Sequence, residues 1–284
     1  MEPEVVKQES NPTLEFLVIS DTHRITALQS LMKHKEEIMH TSKFDYTINC
    51  GDLTYIDQNH NPKQEDIESG TQLFHVVAEE MEKFAPYHLF VPGNHDPAEM
   101  YDCKTPSVLP KLEVGTTNMH NHCVKLADHL WLVGFGGSVP RTLATGVANR
   151  DGYPFEKTDM GDEITSLISL IPKGDQVILM THCPPDHVGS SFVDEDHTDA
   201  VYYLGSASMY NQVCALMRDY NLFLLIHGHV HPEAGMNWIH RRRKHCCVVN
   251  PGGNSNGRYA KLKLERINGM WRIRSFENCF YYDM

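Results

Sequence analysis

The chain has 284 residues, enough for one large domain or two small ones, and its 41% hydrophobic and 22% charged residues suit a globular protein with a sizeable core. No apolar run reaches the roughly eighteen residues of a membrane span, and the polar start MEPEVVKQESNPT has no apolar signal region, so the cytosol is the expected compartment and no membrane partner is expected. A formal net charge of -12 repels a phosphate backbone, which disfavours nucleic acid as a partner.

Residues 1–13 read as a loose tail. LEFLVIS (14–20) is a continuous apolar run that suits a strand covered on both faces. Residues 24–40 carry helical periodicity, and DYTINC (45–50) is a second strand. The polar stretch 51–70 is expected to be a loop. A helix over 72–85 would place Leu73, Val76, Val77, Met81 and Phe84 on one face. YHLFVPG (87–93) is a third strand. This alternation predicts an α/β fold with crossover connections.

Further along, 122–135 reads as two strands about a turn, and 136–154 as a loop rich in Gly, Arg and Asp. A short helix over 162–171 precedes the buried strand QVILMTH (176–182). A polar loop leads to a helix over 208–220 and the strand LFLLIHG (222–228). Four strands follow: 235–240, 245–250, 258–267 and 270–277. Neither a repeat nor a linker interrupts the chain, so one domain over 14–284, with two sheets, is expected. The eight cysteines include no CxxC pair; they read as free, mostly buried thiols, with Cys246 and Cys247 on opposite faces of a strand. Arg241, Arg242, Arg243 and Lys244 read as a solvated hairpin turn, with a localisation signal or an anion patch as the alternative.

The polar residues fall where strands stop. Asp21 and His23 follow the first strand, Gly51-Asp52 the second, and Asn94-His95-Asp96 the third. His182 ends the fourth, and His229 and His231 end the fifth. Open α/β sheets bind ligands at the carboxyl ends of their strands. Asp, His and Asn are nitrogen and oxygen ligands for divalent metals. A lone DxH or a lone His after a strand says little; five such endings on one sheet edge predict a metal site. Gly51, Gly93 and Gly228 each precede a candidate ligand, and are expected to let the backbone turn sharply there.

Asp21-Thr22-His23, Gly51-Asp52, Gly93-Asn94-His95-Asp96, His182 and Gly228-His229-Val230-His231 together resemble the signature of the calcineurin-like metallophosphoesterases, over residues 14–265. The ending VVNPGGNSNGRYAKLKLE is similar to that of small single-domain members. The resemblance implies a two-layer β-sandwich flanked by helices (αββα), with a binuclear metal site at the strand carboxyl ends. One ion would be held by Asp21, His23, Asp52 and His231, and the other by Asp52, Asn94, His182 and His229. A carboxylate shared by two cations about 3.5–4 Å apart offsets their repulsion, and a water between them becomes a hydroxide nucleophile near neutral pH. Mn, Fe or Zn would suit the donors. The resemblance places His95 beside the leaving oxygen, where it is expected to act as general acid or as a donor to the phosphate, oriented by a carboxylate from Asp96 or Asp57; Asp96 reads alternatively as a turn residue before Pro97.

Many members have Gly where this chain has Arg24, which reads either as a solvated first-turn residue or as a guanidinium that grips substrate phosphate. Asn94 is a further candidate for substrate contact. Asp96 departs from the GNHE of the protein Ser/Thr phosphatase branch, whose activity is therefore not expected. The loop 184–201, with Asp186, His187, Asp194, Glu195, Asp196, His197 and Asp199, reads as a solvated rim of the site, with an extra metal site as the alternative. The expected function is metal-dependent hydrolysis of a small phosphorylated substrate, monoester or diester. The alternatives are a catalytically retired scaffold of the same fold that binds protein partners, or a nuclease. The residues leave oligomeric state open.

Overall fold

In the computed structural model, which describes residues 11–40, 42–143, 148–149, 152–155, 160–188, 192–195 and 200–281, the chain alternates strands and helices much as its apolar runs predict. Strand β1 (Thr13–Ile19) leads into helices α1 (Ile25–Lys33) and α2 (Lys35–His40). One helix was expected here, but the backbone leaves the helical region at His34 (φ -92°, ψ 3°), whose N–H closes the first helix onto Ser30 and Leu31. After β2 (Tyr46–Asn49), helix α3 (Gln64–Met81) starts well inside the stretch expected to be a loop. Glu65 and Asp66 in its first turn complement the helix dipole. Gly70 fits mid-helix because a side chain there would overlap Ile56. The buried face is Phe74, Val77, Ala78 and Met81, while Val76 points outward.

Strands β3 (Tyr87–Phe90), β4 (Ser107–Leu109), β5 (Gly115–Asn118), β6 (His122–Ala127) and β7 (Leu130–Phe135) follow. Strands β8 (Arg141–Leu143) and β9 (Ala148–Asn149) fall in the expected 136–154 loop. Then come α4 (Gly161–Ile168), β10 (Gln176–Thr181), β11 (Phe192–Glu195), β12 (Ala200–Tyr203), α5 (Ala207–Asp219) and β13 (Asn221–Ile226). The chain closes with β14 (Gly235–Arg241), β15 (Lys244–Asn250), β16 (Arg258–Ile267) and β17 (Met270–Phe280).

Six strands form one sheet in the order β17-β16-β1-β2-β3-β5, and seven form a second in the order β14-β15-β13-β10-β7-β6-β4. A third, small sheet, β11-β12-β8-β9, takes part of the loop 184–201 that was expected to be solvated coil; Asp196, His197 and Asp199 lie outside the described residues. The central strands of both large sheets run parallel. Pleating explains their unbroken apolar runs. On β1, Phe16 and Val18 face the second sheet, where Ile178, Met180, Leu224 and Ile226 meet them. Leu17 and Ile19 face the other way, against Leu28, Leu31, Phe74 and Val77 of the helices. On the far side, Val177, Leu179 and Leu225 pack under Ile164, Leu167, Met209 and Val213. Each such buried aliphatic contributes roughly 1.5–3 kcal/mol. Cys246 and Cys247 divide between two of these cores, as alternation requires, and all eight cysteines are free. No described helix is long and apolar enough to cross a membrane. Residues 1–10 of the expected tail lie outside the described residues, whereas the Pro12 carbonyl already accepts from Arg266 N–H (2.9 Å).

A titratable group sits in the core beneath β3. His88 on β3 is fully buried, with Nδ1 3.1 Å from Thr116 Oγ1. Burial pushes its pKa from 6.5 down to about 3, although a hydrogen bond to the Ala78 backbone partly opposes this. The ring is therefore neutral in the fold but protonates near 6.5 once unfolded. Its contribution is complete above that pH and drains away as pH falls toward 3, by up to about 5 kcal/mol. Urea unfolding of wild type and His88→Gln at stepped pH should show the substitution flattening the acid decline. Parallel declines would refute this assignment.

Candidate metal centre

Strands β1, β2 and β3 of the first sheet and β10 and β13 of the second end at one edge of the sandwich. Asp21, His23, Asp52, Asn94, His182, His229 and His231 meet there. Six of them form two groups, Asp21–His23–His231 and Asp52–His182–His229, with the ligand atoms of each group all within 4.8 Å of one another. Asp52 Oδ2 lies 3.4 Å from His182 Nε2 and 3.8 Å from His23 Nε2, so it faces both groups. Asn94 Oδ1 is 3.0 Å from His182 Nε2.

The backbone is bent to bring these side chains together. Asp21, His23, Asp52 and His229 all have left-handed φ, between 54° and 69°. Only Asp, Asn, His and Gly adopt that region at modest cost, which narrows the residue types that can stand there. Gly51 (φ 98°) makes the turn its sequence position suggests, and a Cβ on it would lie 2.7 Å from His182 Nδ1. Gly93 and Gly228 serve another purpose than the expected sharp turn. Their φ is not positive; instead a Cβ would overlap Asp52 Oδ1 or Ser20 Oγ.

Both carboxylates are held the same way. Asp21 Oδ2 accepts from His229 N–H (3.0 Å) and turns Oδ1 to His231 Nε2 (3.0 Å). Asp52 Oδ1 accepts from His95 N–H (2.8 Å) and turns Oδ2 to the imidazoles. Burial opposes ionisation of both. His231 beside Asp21, and His182 and His95 beside Asp52, nonetheless hold both well below the usual carboxylate range. His182 is likewise fully buried, which disfavours its cation, but Asp52 and Asp21 raise it to about 9.

The donor set fits divalent ions. His23 Nε2 and His231 Nε2 face each other at 3.1 Å, as do His229 Nδ1 and His182 Nε2. One proton at most can sit between two such nitrogens, whereas a cation beside them takes both lone pairs. Outer contacts fix the tautomers, since a carbonyl only accepts. His23 Nδ1–H donates to Thr54 O (3.3 Å) and His182 Nδ1–H to Cys50 O (2.7 Å), which turns both Nε2 atoms inward.

His95 is oriented by something other than a carboxylate. Its Nδ1 donates to the carbonyl of Ile56 at 3.1 Å. Asp57 is instead bound to His60 at 2.8 Å. Asp96 is buried and accepts three backbone N–H groups, those of Asp52 and Gly93 (2.8 Å each) and Thr54 (3.1 Å). It therefore clasps the loop after β2 to the loop after β3. Burial and the Asp52 carboxylate push its pKa up to about 8, against the pull of those donors.

Arg24 is exposed, at the N-terminal cap of α1, and its side chain makes no hydrogen bond or ion pair among the described residues. Asp186 and His187 join neither metal group, so nothing described supports an extra metal site in that loop. One contact was not expected. Tyr55, 56% exposed, stacks on His95 with ring centres 4.4 Å apart and planes at 21°. Its place three residues after Asp52 is the only sequence cue to that role.

The family model for calcineurin-like phosphoesterases matches residues 14–233. One solved structure, 17% identical, superposes with a TM-score of 0.57 and covers 94% of this chain and 100% of that one; at such identity the likeness shows the fold alone. Weaker likenesses link the chain to a protein from Staphylococcus aureus assigned as a 5'-nucleotidase, in complex with alpha-ketoglutarate (TM-score 0.47, 13% identity, 96% of this chain and 55% of that one). They also link it to Vacuolar Protein Sorting 29 from Cryptosporidium parvum (TM-score 0.37, 11% identity, 95% and 99%). No curated protein matches the chain.

Proposed function

The chain belongs to the calcineurin-like phosphoesterase family, and from that membership we propose that it hydrolyses a phosphoester bond of a small phosphorylated substrate using two divalent ions. Asp21, His23, Asp52 and His231 would hold one ion, and Asp52, Asn94, His182 and His229 the other. The observation that carries this reading is Asp52 Oδ2, which faces the imidazoles of both groups at 3.4 and 3.8 Å. When bound, such ions supply Lewis acidity to phosphoryl oxygens and acidify a water near neutral pH.

The chain's own residues do the rest. Asp52 gives one oxygen to His95 N–H, which aims the other at the two groups. His95 keeps the proton on Nδ1, because Ile56 O can only accept it. The proton passed to the leaving oxygen is therefore the one on Nε2. Tyr55 packs flat on that ring and restrains its rotation. Asn94 would give its oxygen to an ion, which would leave its amide N–H groups for a phosphoryl oxygen. Arg24, exposed one residue past His23, is assigned to the incoming phosphate.

The test is to strip the purified protein of metal, restore Mn, Fe or Zn singly, and assay aryl phosphate monoesters and diesters side by side. Hydrolysis should return with at least one ion, and Arg24→Ala should raise KM several-fold with little change in kcat. No hydrolysis with any ion, nor by the protein as purified, would leave a scaffold as the better reading. An unchanged KM would remove Arg24 from the phosphate site.

A further inference from the structure

Strands β10 and β13 carry the metal residues at their carboxyl ends, so their amino ends, at Gln176 and Asn221, lie about a strand length away, roughly 20 Å. Helix α5 ends there, and the β14–β15 hairpin turns there, with Arg241 paired to Lys244. Between them is a cleft of about 740 Å³. Its floor is apolar, from Cys214, Ala215 and Met217 of α5, and its wall is Arg241, Arg242, Arg243 and Lys244.

Among the described residues no carboxylate lines the cleft, and Asp219, just outside it, interacts electrostatically with Lys244 without pairing with it. Arg218 at its edge is already bound to both oxygens of Asp219, at 2.7 and 2.8 Å. Among the described residues, no carboxylate lies within ion-pair distance (4.0 Å) of Arg241, Arg242, Arg243 or Lys244. Lys244 Nζ donates to Arg218 O at 3.2 Å, which tethers the hairpin to the end of α5. The turn itself favours other residues. Arg242 has a left-handed φ of 56°, where Asn or Gly is the relaxed choice and Arg costs about 1 kcal/mol. Four like charges on adjacent residues add repulsion. A chain of net charge -12 thus concentrates cations where neither the turn nor the local charge balance favours them.

We propose that this cleft is a second binding site, separate from the metal centre, for a soluble polyphosphorylated small molecule that carries an apolar or aromatic group, of the nucleoside triphosphate type. Guanidinium forks match phosphate oxygens. The volume lies in the range that small-molecule sites occupy, and the α5 floor gives an apolar ring a surface to cover. A nucleic acid strand would have to extend past the cleft over a surface of the wrong sign.

The test is calorimetric titration of the full chain, as purified, with the non-hydrolysable β,γ-imido analogue of ATP and, separately, with inorganic tripolyphosphate. A triple variant, Arg241→Gln with Arg243→Gln and Lys244→Gln, is titrated in parallel. The analogue should bind saturably and more tightly than tripolyphosphate, and the variant should weaken that event at least tenfold. The variant's turnover of aryl phosphate should be unchanged, which shows that it folds and that the metal centre is intact. Equal affinities in the two proteins, or the absence of saturable binding, would overturn the site. Equal binding of the two ligands would overturn the apolar subsite. Capture of the chain on phosphoinositide vesicles without binding of either soluble probe would assign the cations to a membrane surface and overturn the proposal.

Discussion

Asp52→Asn should lower kcat/KM for aryl phosphate by about a thousandfold or more, roughly 4 kcal/mol of lost transition-state stabilisation. The two oxygens of Asp52 have separate duties. Oδ1 accepts from His95 N–H, and Oδ2 faces imidazoles of both groups. An amide has one oxygen only. If it keeps the bond to His95, its NH2 turns toward the ion sites and repels what should bind there. If it turns the oxygen inward, N–H meets N–H at His95. Either arrangement spoils the shared ligand, and the negative charge is gone in both. The backbone should not object, since asparagine accepts the φ of 54° at this position as readily as aspartate. Loss of activity should therefore come with an intact circular dichroism spectrum and with bound metal reduced from two equivalents toward one or none. Full turnover by the variant would refute a metal pair centred on Asp52.

The second large effect belongs to His95. His95→Gln should reduce kcat by about a hundred- to ten-thousandfold while metal content stays at the wild-type level, because no ion depends on this ring. The size of the loss should depend on the leaving group. An aryl oxide departs with little help, whereas an alkoxide needs a proton. The variant should consequently lose far more activity on an alkyl phosphate than on a nitrophenyl phosphate. Equal losses on the two would show that His95 binds the phosphate rather than protonating the leaving oxygen. Tyr55 and Ile56 are positioning residues for this ring, one by stacking and one through its carbonyl.

The seven residues of the candidate metal centre could be read from the sequence because each follows an apolar run. A strand buried on both faces leaves few explanations for Asp, Asn or His at its end. Other parts of the centre are written in groups that every residue has. Ile56 acts on His95 through a backbone carbonyl, which any amino acid would supply, so no residue type marks it. Asp96 looked like a partner for His95 because it is adjacent in sequence, yet neighbours along a bent chain point apart, and this carboxylate faces the backbone of two loops. The third sheet is hard to read for another reason. Its strands are two to four residues long, too short for an alternation to show, and the pairing of β8 with β12 that joins its two hairpins is between segments far apart in sequence. The first two turns of helix α3 carry no periodic signal because QEDIESG is polar, and an exposed first turn needs no apolar residue.

The left-handed backbone at Asp21, His23, Asp52 and His229 also bears on descent. These bends belong to the trace of the chain, whereas the imidazoles and carboxylates belong to the chemistry, and selection can relax the second without touching the first. A lineage that no longer needed ions would drift at these four positions toward glycine, the residue the bends prefer. It would keep the sandwich and every strand register. Among homologues, glycine accumulating at 21, 23, 52 and 229 would thus mark the loss of the ions proposed to bind here, in a fold that otherwise records nothing of it.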